Sequence, residues 1–204
     1  MKILLISGGS RVGGATERAV EEAAEVLKRG GAEYSVFHLN SAKVAPCNGC
    51  GACRRGGNCT VDDASAELIS AAVGCDGFIF FTPVHYGGAS GGLKSAMGRL
   101  FYSSKSHLEY KPAAAVAVSR RGGNVSAIEE LNRFFYFNHM PVVSGNYPGV
   151  LFGRDYADAQ RDVEGLQTVR SIAENMLWLI KCIKAGESIG IHTPTPEEKI
   201  ITKI

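Results

Sequence analysis

Met1–Ala19 reads MKILLISGGSRVGGATERA, and its three parts decide the fold. Ile3-Leu4-Leu5-Ile6 is a compact apolar run, the pattern of a strand buried on both faces. Ser7–Thr16 is too rich in Gly and Ser to continue that strand. A helical pattern follows over Glu17–Arg29, with Val20, Ala23, Ala24 and Leu27 as its apolar stripe and Gly30-Gly31 as its stop. A strand, a small-residue loop and a helix N-terminus together make an anion site. Backbone N–H groups approach a phosphate closely there, and the helix dipole favours negative charge. Ser10 and Thr16 add hydroxyls, Arg11 a cation, and Gly13, Gly14 and Ala15 leave room for close approach. The loop is not a P-loop, because it holds no Gly-Lys-Ser/Thr. Counted from Gly9 as a G-x-G-x-x-G, it has Arg11 where the second glycine belongs, which favours a single phosphate over a dinucleotide pyrophosphate.

The same strand–helix alternation continues outward. Glu33–Leu39 reads as a second strand, whose lone His38 has a structural reading. Asp76–Thr82 and Ala113–Ser119 read as buried strands, and Pro141–Ser144 as a short fifth. Asp62-Asp63 read as a helix cap for a helix to about Val73. Further helices are expected near Leu93–Phe101, Ser126–Asn138 and Ala157–Ala185, with Asn146–Tyr156 as a loop. Cys75 is read as a small core residue, and Trp178, beside Met176, Leu177 and Ile180 in the last helix, as core rather than part of a cofactor site. Strands alternating with helices call for a parallel sheet covered on both faces, an α/β architecture. The expected organisation is one domain over residues 1–187 and a tail over 188–204 that carries Pro194 and Pro196.

Composition narrows the function classes. The 204 residues are 45% hydrophobic and 21% charged, the balance of a globular domain. A net charge of +2 gives no electrostatic case for nucleic acid or an anionic membrane. No stretch approaches the roughly 18 apolar residues of a membrane helix, and the first apolar run breaks at Gly8, so the expected location is cytoplasmic.

The first, third and fourth strands each end in a Gly-rich loop: Ser7–Thr16, Pro83–Gly92 and Arg120–Asn124. In an open parallel sheet, ligands bind beyond the strand C-termini at the switch point. Three loops converging there would take a phosphate on the first and a flat ring between the other two, with His85 or Tyr86 near its face. A small phosphorylated aromatic cofactor fits, and FMN is the prime candidate.

SGGSRVGGAT, TPVHYGGASGGLKSAMGR and SRRGG resemble the three flavin loops of the flavodoxin-like NAD(P)H-dependent FMN reductase superfamily. The resemblance implies a flavodoxin-like three-layer sandwich with a five-stranded parallel sheet of order 2-1-3-4-5. It implies Ser10, Arg11 and Thr16 at the phosphate, with Pro83, Val84, His85, Tyr86 and Gly87 lining the ring. Ser119, Arg120, Gly122 and Gly123 would close its other side. Two departures stand out: Ala15 replaces the family's usual Asn, and His85 falls where the family often has Tyr.

Four of the six cysteines, Cys47, Cys50, Cys53 and Cys59, lie within thirteen residues. In a chain outside oxidising compartments, such clustering points to metal or redox chemistry rather than to disulfides. Their Cys-x2-Cys-x2-Cys-x5-Cys spacing is similar to the run that binds a [4Fe-4S] cluster in the iron–sulfur flavoproteins of anaerobes. Thiolates are the ordinary ligands of such a cluster, but four of them also suit zinc, and free or disulfide-linked thiols are a further reading. The resemblance implies an FMN-dependent oxidoreductase that moves electrons from NAD(P)H or a reduced ferredoxin-like donor to a small acceptor such as a quinone or flavin. It also implies a homodimer or homotetramer. No acid–base side chain is assigned as catalytic. The alternative is a flavin- or redox-sensing module with little turnover.

Overall fold

The computed structural model describes residues 1–40, 42–195, 197 and 200. Its centre is β1 (Lys2–Ser7), in which Ile3, Leu4, Leu5 and Ile6 are all at most 1% exposed. Successive side chains of a strand point to opposite faces, so this unbroken run feeds two cores. Ile3 and Leu5 pack with α1 (Ala15–Arg29) and α7 (Val163–Ser188). Leu4 and Ile6 pack with α2 (Ala64–Ala72), α3 (Gly91–Ser103) and α5 (Asn124–Tyr136). The strands β3 (Gly77–His85) and β5 (Ala113–Ser119) divide in the same way, Ile79 and Val116 to one side, Phe80 and Ala115 to the other. Phe80 is fully buried and meets the rings of Phe101 and Phe135 at 6.0 and 5.4 Å. Truncating it to Ala would cost about 3–5 kcal/mol.

With β2 (Glu33–His38) and β6 (Gly149–Phe152), the parallel sheet runs β2-β1-β3-β5-β6. This is the order 2-1-3-4-5 once the sixth strand is set aside. That strand, β4 (Gly88–Ala89), is a short antiparallel return against Val84-His85. The remaining elements are a 3-10 turn (Cys53–Arg55), α4 (Lys105–Leu108) and α6 (Tyr156–Arg161).

Three expectations need correction. The fifth parallel strand is Gly149–Phe152, inside the expected loop, not Pro141–Ser144. Val142 makes one isolated bridge, to Ala113, and the edge resumes with Gly149 opposite Val116. Three positions along β5 face seven along the edge, so four residues loop out. A strand of four residues is too short for its periodicity to show. The long helical pattern over Ala157–Ala185 is two helices, broken at Asp162. The Asp162 carboxylate accepts from Gly165 N–H (3.0 Å) to cap α7 and from Phe152 N–H (2.7 Å) to tie the helix to β6. Trp178 is 65% exposed, while Met176, Leu177 and Ile180 are buried. At about 100° per residue those three share the core face of α7, and Trp178 falls on the opposite one.

Other readings match the structure. Asp63 caps α2 by accepting from Ser65 N–H at 2.9 Å. Cys75 is buried, its thiol pushed up by burial. His38 Nδ1 lies 3.4 Å from a Glu17 carboxylate oxygen, a structural position. Ile189–Thr195 carry no helix or strand, and most of the expected tail beyond them lies outside the described residues. Among the described residues no helix is long and apolar enough to cross a membrane.

Candidate functional site

The turns that leave β1, β3 and β5 meet at one end of the sheet, with the turn after β6 beside them. Gly8 ends the first strand's pairing by donating to the Phe81 carbonyl at 2.8 Å. A Cβ there would lie 2.9 Å from Leu93 Cβ, so the phosphate-type loop can sit this close to α3 only with glycine. The second loop is a tight hairpin turn in which Tyr86 (φ 50°) and Gly87 (φ 82°) both take positive φ, the geometry that fits a two-residue hairpin. Tyr86 stands fully exposed at its tip. The third loop closes on the second through Gly123, at φ 88°. A Cβ at Gly123 would fall 2.7 Å from Gly87 Cα and 2.9 Å from Val84 Cγ1.

Side chains lock this end of the sheet. Asn124, the first residue of α5, donates to the carbonyls of Ala117 (2.8 Å) and Leu151 (3.3 Å), joining β5 to β6. Ser119 donates to the same Asn124 through its hydroxyl. Glu130 accepts from Ala89 N–H at 3.1 Å and pairs with Lys94 at 2.9 Å, fixing the hairpin from beneath. Those partners hold the Glu130 carboxyl below its ordinary value, Lys94 most of all.

A cleft of about 400 Å³ opens between the turns. Of the expected site residues, Ser10, Arg11, Gly14, Ala15, Thr16, Pro83, Val84, His85, Ser119 and Arg120 line it. Gly13, Tyr86, Gly87, Gly122 and Gly123 lie in the same loops but outside the lining; Gly87 and Gly123 instead form the contact between two loops. Sequence reasoning missed Gly153 and Arg154, which enter from the turn after β6. The signal for them was hidden with that strand. Arg11 donates to the Arg154 carbonyl at 3.1 Å, so the first and fourth turns support each other.

The electrostatics of the cleft are one-sided. Its lining holds Arg11, Arg120 and Arg154 and no carboxylate, though Asp158 just outside it pairs with Arg154 at 2.5 Å. The helices also differ in how they begin. Asp63, Ser90, Asp155 and Asp162 cap α2, α3, α6 and α7 with their side chains. The first residues of α1 and α5 follow Gly14 and Gly123, and neither helix has a side-chain cap. A helix N-terminus leaves its first N–H groups without intrahelical partners and carries partial positive charge. Two such ends therefore start at the loops of this cleft. The arrangement fits a phosphate-bearing ligand that supplies the missing acceptors.

The four cysteines lie elsewhere, on the loop between β2 and α2. Cys47 and Cys50 are exposed, Cys53 and Cys59 half-buried. Cys50 Sγ and the Thr60 hydroxyl are 3.3 Å apart, and Gly49 N–H donates to Cys47 Sγ at 3.4 Å. The Thr60 hydroxyl, with the Ala52 N–H behind it, lowers the Cys50 thiol below its ordinary value. Among the described residues no three His, Cys, Asp or Glu side chains gather into a metal-holding group. Beside the loop runs a groove of about 1080 Å³, whose lining includes Cys47, Arg54, Lys94, Phe101, Tyr102 and Phe137. The Arg54 guanidinium sits over the Tyr102 ring at 4.5 Å.

In sequence, the chain matches the family described as NADPH-dependent FMN reductase over residues 1–154. An iron-sulfur flavoprotein of Methanocaldococcus jannaschii is 32% identical over 192 residues, covering 90% of this chain and 100% of the relative. One from Methanosarcina thermophila is 32% identical over 188 residues, covering 90% and 97%. Among solved structures, an NADH:FMN oxidoreductase in its apo form superposes with a TM-score of 0.65 at 19% identity, covering 87% of this chain and 89% of that one. A flavodoxin from the domain Archaea superposes at 0.62 with 11% identity, covering 89% and 99%. These two likenesses carry the fold alone.

Proposed function

The chain belongs to the NADPH-dependent FMN reductase family, with the iron–sulfur flavoproteins, and from that premise we propose that it passes electrons from NAD(P)H or a reduced ferredoxin-like protein to a small acceptor such as a quinone or flavin. FMN is the cofactor, and when bound it would supply hydride or one-electron transfer at its ring. The observation that carries the reading is the cleft itself: four turns at the strand ends, two uncapped helix starts, three arginines and no carboxylate.

The chain's own part is binding and orientation. The N–H groups at the start of α1, the hydroxyls of Ser10 and Thr16 and the Arg11 guanidinium would take the phosphate. A charged acceptor strengthens each such bond. Pro83, Val84 and His85 on one side, with Ser119 and Arg120 on the other, would bound the ring. Arg11 and Arg120 keep the cleft positive, Arg154 being paired with Asp158, and positive charge favours an electron-rich ring over a neutral one. No proton-transfer residue is required, since the electron carrier supplies the chemistry.

Cys47, Cys50, Cys53 and Cys59 would hold a [4Fe-4S] cluster, which supplies one-electron steps when bound. Their spacing, their number and the N–H and O–H groups already directed at Cys47 and Cys50 support that set. A cluster would draw the four thiols together, since among the described residues they form no metal-holding group. A homodimer or homotetramer belongs to the same proposal, with the exposed Trp178 on one face of the molecule and Phe137 on the other as apolar contacts.

The test is anaerobic purification followed by a visible spectrum, metal analysis and steady-state assay. The reading expects about one FMN per chain, iron rather than zinc, and reduction of a quinone driven by NAD(P)H or a reduced ferredoxin. Protein without flavin bands, and with no turnover from either donor after added FMN, would falsify it.

A further inference from the structure

We propose that Arg99 is the positioning residue of the cysteine loop. Its buried guanidinium ties both ends of the loop to α3 and holds Cys59 in place ahead of any cluster. Arg99 heads the large side chains that are fully buried, at 1% exposed. Long basic side chains are almost never buried to this degree unless paired. Here every named partner belongs to one segment. One nitrogen reaches the Asp63 carboxylate and, at 3.5 Å, the Ala45 carbonyl. The second reaches the Val61 carbonyl, and Nε–H donates to Cys59 Sγ at 3.4 Å. Ala45 stands two residues before the first cysteine, while Val61 and Asp63 stand two and four after the last. Asp63 closes the same gate from the other side, accepting from Ala45 N–H at 2.8 Å.

This is more than a core ion pair. A cation needed only for packing would satisfy itself within its own layer, and replacing a buried pair with apolar residues is often neutral. Arg99 instead turns all three guanidinium nitrogens to the base of the loop, one of them to a thiol. The guanidinium is a planar, fixed fork, so it sets geometry as well as charge. Cys59 is thereby seated, while Cys47, Cys50 and Cys53 keep local contacts along the loop or, for Cys53, a 4.0 Å approach to the Tyr102 carbonyl. A positive charge beside the ligand sulfur would also stabilise a more negative, reduced cluster.

The iron arm of this proposal rests on the cysteine reading above; the loop arm does not. The experiment compares the wild-type protein with Arg99→Met and Arg99→Lys, using FMN affinity within about twofold of wild type as the folding control. Limited trypsin digestion reads the loop through cleavage after Lys43, Arg54 and Arg55. Cleavage should rise at least tenfold in Arg99→Met and by much less in Arg99→Lys. After anaerobic reconstitution, iron per chain should fall at least twofold in Arg99→Met, and its remaining cluster should have a more negative midpoint potential than that of Arg99→Lys. Cleavage of Arg99→Met at the wild-type rate overturns the proposal. Faster digestion with unchanged iron and potential overturns the assignment to Cys59. If the wild type takes up no iron, the cluster reading fails and the digestion still decides Arg99. If Arg99→Met does not fold, Arg99→Lys and Asp63→Asn are compared instead: faster cleavage of the loop at unchanged FMN affinity sustains the proposal, and wild-type rates in both overturn it.

Discussion

At the start of α3, the Ser90 hydroxyl caps the helix and reaches back to the Gly8 carbonyl, binding the helix to the phosphate-type loop. Nine residues further on, about 14 Å along the axis, Arg99 holds the cysteine loop. The first region is made from backbone. Its turns touch where only glycine fits, so its shape is set by the backbone. The second is made from side chains on an exposed segment, tied down at its base and open at its thiols. A site that must grip a rigid, flat ligand gains from being built in advance, since less ordering remains for binding to complete. A site whose ligand brings its own bonds can be left to close upon it.

The sharpest way to break this contrast is Gly123→Val. Its φ of 88° and the 2.7 Å approach to Gly87 Cα leave no place for a side chain. The two loops must part, and FMN affinity should fall about 100-fold or more, a loss of about 3 kcal/mol by the usual conversion. Flavin fluorescence titration checks it, and the trypsin pattern of the cysteine loop should not move.

The next test acts on the other region. Burial pushes the Asp63 carboxyl up, but Arg99 and the N–H groups of Ala45 and Ser65 outweigh it and hold it at about 2, below an unperturbed 3.8. A depressed carboxylate stabilises the fold above its unfolded value and loses that contribution as pH falls through its folded one. The loop base should therefore weaken between about pH 4 and pH 2, by about 2 kcal/mol in all. Asp63→Asn should start less stable at pH 6 and show a flatter decline, measured by denaturant unfolding. Equal slopes for the two proteins would contradict the ion pair.

Smaller effects sharpen the picture at the cleft. Arg11→Ala should weaken FMN about tenfold, since hydrogen bonds to charged groups are worth roughly 1.5–3 kcal/mol. It should leave riboflavin affinity within twofold, because only FMN carries the phosphate. Tyr86→Gly should raise stability by roughly 0.5–1 kcal/mol, because Tyr86 is held at φ 50° without burial. Thermal unfolding of the ligand-free protein reads that change.

Much of this was legible in the residues. The apolar run Ile3–Ile6 announced a strand covered on both faces, and the three glycine loops marked where strands end at a common edge. Glycine carries such information because close backbone approach excludes a Cβ, as at Gly8 and Gly123. The fourth turn, Gly153-Arg154, was not legible. It follows a four-residue edge strand, and so short an element leaves no period to read. Nor was the role of Arg99. Within α3 it is one basic residue among apolar neighbours, and only the fold brings it to Val61, 38 positions away. Trp178 misled because its neighbours in sequence are core residues, whereas its neighbours on the helix face are not.

One titration reaches the core of the account: isothermal calorimetry of the flavin-free protein with FMN and, separately, with riboflavin. Two uncapped helix starts, with Arg11 and Arg120 in the cleft lining, predict one FMN per chain, bound at least tenfold more tightly than riboflavin. Equal affinity for the two, or no heat with either, would mean that these turns do not hold a phosphorylated flavin.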